Sequence, residues 1–126
     1  MSTRAEYDRL INNKWKNFTH TIPSDEQAMR GCRAIYRKAL GRAWKGKVEI
    51  VRRKNQYTWI RNGVMYVNPN RPQWFHKAGW HDMTHTMSHY CHWILRPHDK
   101  PHSEGQTILE TELTNYVLSD AFAKYR

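Results

Sequence analysis

Residues 81–102 read HDMTHTMSHYCHWILRPHDKPH and hold six of the eight histidines of the chain. Up to Leu95 the stretch has helical periodicity. Met83, Met87, Tyr90 and Ile94 fall on one side, whereas His81, His85, His89 and His92 fall within roughly 80° of one another at ~3.6 residues per turn. Histidines four residues apart place their imidazoles side by side, the spacing that a tetrahedral metal accepts. His81 and His85 are therefore read as ligands of one divalent ion. The supply of neutral imidazole nitrogens and the scarcity of thiolates point to zinc.

Working outward, Arg96-Pro97 ends this helix, and the loop PHDKPH leads to another. Ser103 with Gln106 forms a capping box, and Ile108, Leu109, Leu113, Tyr116, Val117 and Ala121 supply an apolar stripe. Upstream, Ser24 with Gln27 opens a helix whose apolar positions run from Ala28 to Ala43, with an end expected near Gly46. Between the two lies a β-rich region. Asn62-Gly63 separates TWIR from VMYV, a hairpin signal because both residues tolerate positive φ. Strands are expected near 47–53, 56–61 and 64–68, and the histidine helix is expected to begin at Gln73 or Lys77. Residues 1–23 read as an irregular or partly helical lead-in with Trp15 and Phe18 available to pack. The fold class is α+β: a helix, a small three-stranded antiparallel or mixed sheet, the metal-binding helix and a C-terminal helix, all in one domain of residues 1–126.

Twenty-one Lys and Arg against eleven Asp and Glu give a formal charge of +10. That excess favours nucleic acid or acidic protein as a partner without choosing between them. An aromatic content of 13% with 39% hydrophobic residues excludes a disordered chain. No apolar run approaches the length of a membrane span, and the N-terminus has no signal-peptide core. Cys32 and Cys91 sit at apolar helical positions, which argues for buried thiols and an intracellular, reducing setting.

The segment HDMTH resembles the HExxH signature of zinc metallopeptidases of the zincin class, with Asp82 in the place of the family's Glu. The H-D-x-x-H pattern, about a dozen further residues and then Pro-His before an amphipathic helix is similar to SprT-like proteins. The resemblance implies a zincin-like fold and a zinc ion held by His81, His85 and a third residue. His102, in a turn tightened by Pro101, is the first candidate for that place, with His98 and Glu112, which lies inside the apolar stripe of the last helix, as rivals. Glu112 also qualifies as a carboxylate that orients a ligating imidazole. Asp82 would act as the general base, although its side chain is one methylene shorter than the family's. His89 and His92 would stabilise a tetrahedral oxyanion, bind a second metal or line the cleft. An edge strand ending in VMYVNP would bind an extended peptide substrate.

Three functions follow from these readings. The first is a zinc-dependent peptidase. The second is a non-catalytic, zinc-stabilised basic accessory protein of the kind that phages and mobile elements encode, associated with nucleic acid. The third, a histidine-type metal nuclease, lacks the expected strand–loop–helix metal motif. Thr84, Thr86 and Ser88 offer hydroxyls, but no nucleophile–base spacing for a serine hydrolase.

Overall fold

The computed structural model describes residues 4–18, 22, 24–50, 58–67 and 79–126. The lead-in contains a helix, α1, over Arg4–Trp15, and its last residue is buried. Helix α2 spans Asp25–Leu40, and the Ser24 hydroxyl accepts the Gln27 N–H at 3.1 Å, as the capping box requires. It stops six residues before the expected end near Gly46. Gly41 takes φ 71° and donates its N–H to the Arg37 carbonyl at 2.8 Å, a left-handed cap that turns the chain out of the helix.

Strands β1 (Lys47–Ile50), β2 (Trp59–Arg61) and β3 (Val64–Val67) form one mixed sheet in the order β1-β3-β2. The expected ends at 51–53, 56–57 and 68 lie outside the described residues. Asn62 and Gly63 have φ of 52° and 76°, the double positive φ of a tight hairpin turn between β2 and β3. That hairpin pairs Trp59 with Tyr66, Ile60 with Met65 and Arg61 with Val64. On its other side β3 runs parallel to β1, from Lys47–Val64 to Ile50–Val67. VMYV is thus the central strand and not the expected edge. Its backbone is committed to neighbours on both sides, so an added peptide strand would have to use another element.

Gly79, at φ 80°, precedes helix α3 over Trp80–Leu95. The expected starts at Gln73 and Lys77 fall outside the described residues. Trp80 is fully buried and lies against α2 at Gly31, where a β-carbon would come within 2.4 Å of the Trp80 ring. Only glycine lets the two helices approach so closely. Met83, Met87 and Cys91 bury the face of α3 assigned to the core, against Ile35 and Cys32 of α2 among others. Both cysteines are free. Burial pushes the Cys91 thiol up to about 12 and raises Cys32 well above the ordinary range, so neither is a reactive thiolate.

Helix α4 spans Glu104–Val117 behind the Ser103 cap, and a 3-10 turn over Asp120–Tyr125 closes the chain by burying Phe122. The stripe expected on α4 is only partly the buried one. Leu113 and Val117 are in the core, whereas Ile108 is exposed and Ala121 lies beyond the helix, also exposed. Extending the phase of Leu113 and Val117 backwards leads to Glu110 and Gln106, both buried; Glu110 meets His85 of α3, and Gln106 meets His102 in the preceding loop. Among the described residues, no helix is long and apolar enough to cross a membrane.

Candidate metal centre

Helix α3 delivers His85 and His89 on successive turns of one stripe, and the loop before α4 delivers His102. Three of their ring nitrogens lie within 4.8 Å of one another. His85 Nε2 and His89 Nε2 are 3.1 Å apart, close to the ~3.3 Å that separates two nitrogens held tetrahedrally at 2.0–2.1 Å from one ion. The His89 ring stands edge-on to both others, with centroids 4.7 Å from His85 and 4.5 Å from His102.

Two of the three members are held in place by distinct devices. Glu110 Oε1 lies 2.9 Å from His85 Nδ1 and accepts its hydrogen, with Nε2 on the other side of the ring turned toward His89. A carboxylate behind an imidazole is the arrangement that fixes tautomer and orientation in metal sites. His102 has φ 61°, a left-handed backbone uncommon outside glycine and asparagine. The Gln106 side-chain oxygen accepts the His102 N–H and secures that turn.

The loop carrying His102 is tied to α3 by a second polar group. Asp99 Oδ2 accepts from Ser103 Oγ at 2.9 Å and lies 2.9 Å from Nε2 of the buried His92. The Ser103 hydroxyl and His92 hold the Asp99 carboxyl below its usual range. A carboxylate whose pKa is depressed by folding stabilises the fold above its unfolded value, near 3.8, and loses that contribution as pH falls through the folded value. Asp99→Asn is therefore expected to destabilise the protein most above about pH 5. Its deficit relative to the parent should shrink as pH falls below that range. Urea unfolding at a series of pH values measures the difference; a deficit that does not change with pH would mean that the carboxylate charge is irrelevant to the tie.

The sequence-derived residues are distributed unevenly around this centre. His85 and His102 belong to the cluster, and His89, expected outside the ligand set of the first ion, completes it. His81 is buried one turn earlier, its ring stacked on Trp15 of α1 at 4.8 Å and 9°. Asp82 is also buried, in the first turn of α3. His92 serves the Asp99 tie and not the cleft. His98 is exposed. Glu112, placed in the apolar stripe from sequence, is exposed, and the buried carboxylate is Glu110, two residues earlier. The α3 hydroxyls serve the backbone: Thr84 donates to the Trp80 carbonyl and Ser88 to that of His85, both at 2.6 Å. Compared with known proteins, the chain matches no family model, no curated protein and no solved structure.

Proposed function

We propose that the protein is a divalent-metal-dependent hydrolase of peptide bonds, with zinc as the metal. The observation that carries this reading is the convergence of His85, His89 and His102, with Glu110 behind His85. Three imidazoles without a thiolate suit a borderline ion such as zinc, and three protein ligands leave a position open, as catalytic sites do. A divalent ion held there by the three imidazoles would supply Lewis acidity for activating water.

We assign the role of proton acceptor to Asp82. It lies three residues before His85 and seven before His89, so the three share one stripe of α3. The aspartate in HDMTH thus stands one turn below the cluster, where a shorter carboxylate than the family's meets a ligand set shifted along the helix. His85 and His102 belong to both candidate sets. The remaining place falls to His89 by proximity and to His81 by the zincin resemblance.

Two measurements test the proposal. Purified protein should contain about one zinc per chain, and His89→Ala should lose it while His81→Ala keeps it; the opposite pattern would restore the HExxH-type set. Against a broad peptide pool the parent should cleave and Asp82→Asn should keep its metal but lose at least a hundredfold in rate, within the usual range for a general base. Stoichiometric metal with no cleavage by either protein supports instead the zinc-stabilised accessory protein. No stoichiometric metal in the parent overturns both readings.

A further inference from the structure

The flank of α3 opposite the histidine cluster carries a second candidate site. Tyr90, next in sequence to His89, turns the other way and meets Tyr36 of α2 at 6.2 Å. Here the link from α2 to β1 and the Asn62-Gly63 turn enclose a concavity of about 720 Å3, lined by Arg42, Lys45 and Lys47 with Tyr36 and Tyr90. A second concavity, of about 340 Å3, adjoins it across Ala43 and Trp44 and is lined by Arg30, Arg33, Arg37 and Tyr125.

The chemistry of the two is the same. Arg30, Arg33 and Arg37 recur at three- and four-residue spacing and form one exposed row on α2. Arg42, Lys45 and Lys47 continue that row along the connection to the sheet, and all are exposed. No Asp or Glu lines either concavity among the described residues. Six cations are thus held along a concave track that no described carboxylate lines. Such a track gains by exchanging condensed counterions for contact with a linear polyanion.

We propose that this track binds single-stranded nucleic acid, with the six cations on successive phosphates and the ring faces of Tyr90 and Tyr125 as stacking platforms. A nucleic acid strand is favoured over an acidic protein by the arginines, whose planar forks match phosphate oxygens, and by the tyrosines interleaved with them. A single strand is favoured over a duplex because tyrosine rings line the same concavities as the cations, and only unpaired bases are free to stack on them. The track is separate from the metal centre, so either can fail without the other.

Fluorescence anisotropy with a labelled oligothymidine of about 16 nucleotides, titrated at several salt concentrations, provides the test. Arg33→Ala with Arg37→Ala, and separately Lys45→Ala with Lys47→Ala, should each weaken binding at least tenfold. Each pair should also reduce the slope of log affinity against log salt by about 0.7 per phosphate contact removed. Arg9→Ala with Lys14→Ala removes two exposed cations of α1 outside the track and should change affinity less than twofold. Thermal melting confirms that each variant is folded. Equal loss in the α1 control would reduce the effect to net charge and overturn the assignment. Tighter binding of a duplex of the same length would overturn the choice of a single strand. Equal competition by polyglutamate would overturn nucleic acid as the partner.

Discussion

His85→Ala should abolish stoichiometric metal binding, and Glu110→Gln should weaken it without abolishing it. The two differ because of what each removes. His85 is the member shared by every ligand set considered, and it stands 3.1 Å from its neighbour His89. Glu110 lies behind it, and its carboxylate fixes the orientation of the ring. Losing such an orienting partner typically costs 10–100-fold in metal affinity. Competition titration against a zinc chelator reads both effects, and Glu112→Gln is the control because its side chain is exposed. A Glu112 variant as weak as Glu110→Gln would show that the carboxylates act through overall charge and not through the hydrogen bond to His85.

The largest expected effect on stability comes from Trp15→Ala. Trp15 is 1% exposed at the end of α1, packs edge-on to Phe18 at 5.1 Å and lies flat on His81 at 4.8 Å. Truncating a buried tryptophan to alanine costs about 3–5 kcal/mol through lost contacts and a residual cavity. That is a large share of the 5–15 kcal/mol that holds a typical domain together. Trp15→Phe should cost much less, because the indole N–H has no hydrogen-bond acceptor among the described residues and nothing polar is orphaned by its removal. Urea denaturation monitored by circular dichroism compares them. A loss as large for phenylalanine as for alanine would mean that the indole makes a polar contact on which the fold depends.

Trp15 also explains a limit of sequence reading. A helical wheel places His81, His85, His89 and His92 on one face, and nothing in their spacing ranks them. What ranks them is packing from elsewhere. A ring contributed by α1, some sixty-six residues away, stacks on His81, and Asp99 engages His92. His85 and His89 are the two that meet His102. The error over Glu112 has a similar origin. The buried face of α4 is polar where it meets the histidines, so hydrophobic periodicity skipped Gln106 and Glu110, although the phase of Leu113 and Val117 passes through both.

The elements that were legible are those whose signals are local. Ser24 with Gln27 and Ser103 with Gln106 cap their helices as read, and Asn62-Gly63 makes the expected turn. The sequence is compatible with an antiparallel or a mixed sheet, and the parallel pairing of β1 with β3 depends on chain closure that no neighbouring residue encodes. That pairing moved VMYV from the edge to the centre of the sheet and removed the expected peptide-binding edge.

The locality of the histidine cluster bears on how the protein comes to be folded. His85, His89, His102 and Glu110 span twenty-six consecutive residues of one helical hairpin, α3 and α4, whereas β1 and β3 must close a loop across the sheet. Short-range contacts of this kind form in the first steps of folding, and long-range strand pairing lags. An ion captured by the hairpin would therefore act as a nucleus, holding two helices in register while the sheet is still assembling. The same residues that furnish the chemistry would then set the rate at which the native chain appears, and starvation for metal would show first as slow maturation of newly made protein.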